Sequence, residues 1–96
     1  MLKKILKRVD WEVEQAKDYI EQAFIVKHDC QTLADLFIEL AKEEISHAEK
    51  LMREGNTISV TKSEPDEFHH VWKWMERKYT DCINDMHVKI NRYRSY

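Results

Sequence analysis

Ninety-six residues make one small domain whose core is marginal by itself and is commonly reinforced by oligomerisation or a metal. A single Gly, a single Pro and 35% charged residues exclude a turn-rich all-β fold and favour an all-α one, a single helical domain over residues 1–96. Sixteen basic against eighteen acidic residues, a formal net charge of −2, give no global electrostatic case for nucleic acid or an acidic membrane as partner.

The first predicted helix covers about residues 3–27. Leu2, Ile5, Val9, Glu12, Ala16, Tyr19, Ala23 and Val26 recur at helical spacing and form one face. That face contains a carboxylate, Glu12. The basic start Met1–Arg8 is interrupted by charges before any apolar run of signal-peptide length. The segment Lys27–Thr32 then breaks the pattern. Thr32 with Asp35 three residues on is a capping arrangement for a second helix. So short a turn makes the two helices antiparallel neighbours.

The second predicted helix covers about 33–53. Leu33, Phe37, Leu40, Glu44, His47 and Leu51 alternate steps of four and three, which places a carboxylate and an imidazole on its apolar stripe. Burying both is costly unless they pair with each other, join a network or hold a metal ion. Gly55-Asn56 reads as the helix stop. The alternating, β-branched run that follows predicts an extended connection over 55–62.

Ser63-Glu64-Pro65-Asp66 supplies a cap and a first-turn Pro for a third helix over about 64–94. Phe68, Trp72, Met75, Tyr79, Cys82, Met86, Ile90 and Tyr93 form one sustained stripe along it. A helix that long has surface to offer another chain. Trp74 lies off the stripe and hints at a second buried face. The short basic end, Lys89, Arg92 and Arg94, is amphipathic and makes a weak case for nucleic acid. No stretch is long and apolar enough to span a bilayer. Cys30 and Cys82 form no C-x-x-C pattern, which points to a reducing, cytoplasmic setting.

Measured from the turn, Glu12 and the Glu44/His47 pair lie at depths that differ by roughly 2 Å at 1.5 Å per residue. Three potential metal ligands, Glu12, Glu44 and His47, therefore converge on one level of the hairpin. Glu14, Asp18, Glu39 and Glu43 sit off these faces and read as solvated charges. Glu76, at the edge of the third stripe, is a further carboxylate candidate. His69 and His70 are neighbours about 100° apart on a helix and cannot hold one ion together. They read as surface histidines, and His28 with Cys30 lacks further ligands for a soft ion.

Glu12 followed by Tyr19, and the segment Leu36–Leu51 with its alanine turn and Glu44-x-x-His47-Ala48, resemble the first two helices of rubrerythrin-type proteins in the ferritin-like superfamily. The resemblance covers residues 9–54. It implies two iron or manganese ions among four helices, with one Glu from each of two helices and Glu-x-x-His from each of the other two. This chain holds one such set and no rubredoxin-type cysteine pairs. The resemblance therefore implies a homodimer or larger homo-oligomer whose two hairpins form a four-helix bundle, as in encapsulated ferritin-like proteins. Iron oxidation or oxygen and peroxide chemistry would follow, with Tyr19 as a nearby redox or hydrogen-bond partner. The alternative is a non-catalytic helical scaffold or protein-interaction module that keeps Glu44 and His47 as a relic core pair.

Overall fold

A computed structural model describes residues 1–61 and 66–95. Three helices account for them: α1 (Leu2–Val26), α2 (Gln31–Thr61) and α3 (Asp66–Ser95), with no strand among the described residues. The all-α expectation and the helical hairpin with a long third helix therefore hold. Within the turn, the amides of Asp29 and Cys30 donate to the Val26 carbonyl at 3.0 and 2.8 Å. The first bond of α2 runs from the Ala34 amide to the Cys30 carbonyl at 3.0 Å, so Cys30 takes the N-cap position expected of Thr32.

The α1 face is close to the expected one: Val9, Glu12, Ala16 and Ala23 are buried, joined by Val13 and Ile20. On α2 the core face is shifted by one residue. Ala34, Ile38, Ala41, Ile45, Ala48 and Met52 are buried, whereas Leu33 keeps 39% of its surface exposed. One residue is about 100° of helix rotation, so the Leu-rich stripe lies on the flank of the hairpin. Alanines explain the shift. Ala16 and Ala23 of α1 share one core cluster with Ala34, Ala41 and Ala48 of α2, and small side chains at a helix contact let the backbones approach closely.

The expected stop at Gly55-Asn56 and the extended connection over 55–62 are both corrected: α2 continues as helix to Thr61, and residue 62 lies outside the described residues. Gly55 does not adopt a positive φ. It makes room instead, since a Cβ there would come within 1.9 Å of the Trp72 ring. Trp72 is fully buried, and its Nε1 donates to Asn56 Oδ1 at 2.7 Å. Leu2 and Ile58 join it in a second, smaller cluster. Thus the β-branched run stays helical because Ile58 has a tertiary partner, which overrides local propensity, while Val60 is left 78% exposed.

Helix α3 packs mainly on α1 and touches α2 more sparsely. Trp72, Tyr79, Met86, Ile90 and Tyr93 are buried as expected, with Ile83 in addition. The Ser63–Pro65 cap and the side chain of Phe68 lie outside the described residues. Two phenols fasten the helix along its length. Tyr79 donates to Asp10 Oδ1 at 2.8 Å, and Tyr93 donates to Asp35 Oδ1 at 2.7 Å. Gln31 Nε2 donates to the same Asp35 oxygen at 2.8 Å, and Lys27 Nζ donates to the Tyr93 carbonyl at 2.8 Å. Trp74 remains 66% exposed, so the second buried face expected there is absent from the single chain. No described helix is long and apolar enough to cross a membrane.

Candidate metal centre

Helical periodicity fixes where the three predicted ligands emerge. On α1, Glu12 leaves from the side turned away from Asp10, whose carboxylate meets α3. On α2, Glu44 and His47 leave from the side turned away from Asp35, which also meets α3. The three side chains consequently gather on the flank of the hairpin opposite α3. One ligand atom from each of Glu12, Glu44 and His47 lies within 4.8 Å of the others. The depth match expected from the turn is realised.

Their burial is graded. The side chain of Glu12 is 3% exposed, that of Glu44 17% and that of His47 53%. The expectation that the Glu44/His47 pair points into the core is therefore corrected. The alanine face occupies the core, and the pair forms a rim through which the site opens to solvent. His47 Nδ1 stands 3.6 Å from Glu12 Oε2 and 4.0 Å from Glu44 Oε2, too far for hydrogen bonds. Both of those carboxylate oxygens are buried and have no hydrogen-bond partner. A buried acceptor left unsatisfied costs about 1–3 kcal/mol, more when charged. Among the described residues, the hydrogen bond made to this group comes from Arg8, whose Nε donates to Glu12 Oε1 at 3.1 Å. Its guanidinium also lies 4.6 Å over the Trp11 ring.

Two carboxylates and an imidazole suit iron, manganese or zinc better than a soft monovalent ion. The unsatisfied Oε2 atoms are the feature that fits a cation, because neither is committed to folding. Sequence reading overlooked Arg8, although its i, i+4 spacing to Glu12 is the signal that could have found it.

The remaining candidates stand apart. Tyr19 is two turns from Glu12 along α1, about 10 Å at 1.5 Å per residue, and its ring stacks on Phe37 at 6.1 Å. Glu76 is half-buried on the other side of the hairpin. It faces a cavity between α2 and α3 shared with Ser46, Arg53, Thr80 and Asn84. His70 is exposed as expected, but His69 is half-buried and shares a 2.9 Å hydrogen bond with Ser59 Oγ. His28 and Cys30 are exposed and belong to no ligand cluster among the described residues. Glu14, Asp18, Glu39 and Glu43 are solvent-exposed, in agreement with their reading as solvated charges.

The two phenols on α3 have perturbed acidities of a structural kind. Burial, followed by the bond to Asp10, pushes the Tyr79 hydroxyl well above its ordinary range. Burial and the bond to Asp35 raise Tyr93 to about 12. The Asp35 carboxyl is lowered, chiefly by the hydrogen bonds from Tyr93 and Gln31. Comparison with protein-family models, curated proteins and solved structures finds no match to this chain.

Proposed function

We propose that this chain is a metal-binding protein whose Glu12, Glu44 and His47 hold iron or manganese, with the centre completed by a second copy of the chain. The observation that carries the reading is the pair of buried, unpartnered oxygens, Glu12 Oε2 and Glu44 Oε2, turned toward His47. Three donors from one chain leave a hard divalent ion short of its usual coordination number. Two copies supply four carboxylates and two imidazoles. The flank that carries the cluster also carries Leu33 and Leu36, 39% and 52% exposed, and it faces away from α3. That combination favours a second hairpin as the missing half, the ferritin-like bundle that the resemblance implies.

Fe(II) held by these residues would supply electrons to oxygen or peroxide and be oxidised to Fe(III). The chain's own contribution is to neutralise the ions with carboxylates and to exclude water from the Glu12 side. His47 remains accessible at the mouth. The scaffold reading draws on one observation, the Arg8–Glu12 bond, in which the chain provides its own cation.

The test is metal content per chain after anaerobic Fe(II) loading and desalting, on wild type beside Glu44→Ala/His47→Ala, with sedimentation of both. About one iron per chain, lost in the double variant and accompanied by a metal-dependent dimer, is the expected outcome. Iron-free protein that stays helical in both preparations supports the scaffold.

A further inference from the structure

The groove between α1 and α3 joins two core residues to exposed apolar and basic side chains that the metal cluster does not use. Its floor is Ile20 and Met86, both buried. Phe24 and Ile25 line it yet keep 37% and 61% of their surface exposed. The Phe24 ring is held edge-on by Tyr93, with centroids 5.7 Å apart, so this apolar wall is fixed in place. Around it stand Lys17, Lys89 and Arg92 against one acid, Glu21. The groove is thus a positive site on a chain of net charge −2.

The cations are not equally engaged. Lys17 reaches Glu14 at 3.4 Å, whereas Lys89 and Arg92, one turn apart on α3, form no ion pair among the described residues. The groove encloses about 750 Å³, within the range of roughly 300–1,000 Å³ typical of small-molecule sites. An apolar floor with two unpaired cations at its edge is complementary to a ligand that is apolar along its length and anionic at one end.

We propose that this groove binds a free medium-chain carboxylic acid. Its alkyl chain would lie against Ile20, Phe24, Ile25 and Met86, and its carboxylate would sit between Lys89 and Arg92. A guanidinium offers a carboxylate two parallel N–H donors, while the Lys89 ammonium adds a point charge. The apolar floor lies at the bottom of a furrow between two helices. Phe24 and Ile25 supply most of the apolar surface left accessible, and their place in a furrow that also holds Lys89 and Arg92 favours a single alkyl chain with one anionic end over the flat surface of a bilayer. The site lies on the opposite side of α1 from Glu12, so the proposal is independent of the metal centre.

The experiment is a titration of the full chain with dodecanoate, below its micelle concentration, followed by backbone amide shifts. Saturable one-site shifts at Ile20, Phe24, Met86, Lys89 and Arg92 are expected. Lys89→Glu/Arg92→Glu should weaken binding about tenfold or more, the scale of a charge-assisted carboxylate contact. Phe24→Ala should weaken it through the tail instead, and dodecanol should bind more weakly than dodecanoate. The proposal is overturned if dodecanol binds as tightly, if the charge-reversed protein keeps its affinity while its circular dichroism is native, or if only anionic phosphatidylglycerol vesicles bind.

Discussion

The two flanks of the helical hairpin differ in how their carboxylates are engaged. On the flank covered by α3, each carboxylate that meets a phenol accepts its hydrogen bond: Asp10 from Tyr79 and Asp35 from Tyr93. On the open flank, Glu12 and Glu44 each bury an oxygen with no hydrogen-bond partner, on a face that carries the exposed Leu33 and Leu36 about two to three turns away. Glu76 Oε2, in the cavity between α2 and α3, is also buried without a hydrogen-bond partner. What sets the open flank apart is that two such carboxylates and an imidazole bring ligand atoms within 4.8 Å of one another.

The largest expected effect lies where α3 closes over the end of the hairpin. Trp72→Ala removes a fully buried indole and strands Asn56, and should cost about 3–5 kcal/mol in urea unfolding. If the cost is under 1 kcal/mol, α3 is not integral to the folded unit. Next in size is a reversal of sign on the open flank. Without metal, Glu44→Gln should leave stability unchanged or raise it by about 1 kcal/mol, because it removes an unpaired charge. Excess Mn(II) at a hundred times its dissociation constant should stabilise the wild type by about 2.7 kcal/mol and the variant much less. Equal melting temperatures for both proteins with and without metal would make the two flanks alike.

Alkali sharpens the comparison from the covered side. The phenol of Tyr93 is raised from 10.0 to about 12, so the stability it contributes is fully present below pH 10. That stability should fade as pH climbs through about 12, because only the neutral phenol can donate to Asp35. Tyr93→Phe should lose this part of the alkaline dependence, as read by thermal melts across pH, and should cost about 1 kcal/mol at neutral pH. Smallest is Arg8→Ala. Freeing Glu12 Oε1 should tighten metal binding by a few-fold while lowering metal-free stability by about 0.2–1 kcal/mol, since the arginine end of the pair is solvent-exposed. Weaker metal binding in that variant would show that Arg8 supports the site instead of competing for it.

Much of this organisation is legible in the chain. The hairpin, the long third helix and the convergence of Glu12, Glu44 and His47 all follow from spacing, because a short turn fixes the depth of every residue in both arms. The phase of α2 does not follow as easily. Leu33, Phe37, Leu40 and Leu51 outweigh alanine on any hydrophobicity scale, so the eye selects their stripe. The seven-residue series Ala34, Ala41, Ala48 is quieter, yet it marks where α1 comes closest. The extension of α2 past Gly55 was illegible for a different reason. A glycine and β-branched residues read locally as a stop, and only Trp72, arriving from 17 positions later in the sequence, supplies the contact that keeps the helix going. Local rules fail where a distant side chain decides.

The most direct test of the central claim is the iron stoichiometry and molar mass of the same sample, wild type beside Glu44→Ala/His47→Ala, after anaerobic loading. One iron per chain in a dimer, absent from a variant that keeps its helical circular dichroism, is the predicted result. Wild-type protein that retains no iron or manganese and sediments identically with and without metal would contradict it.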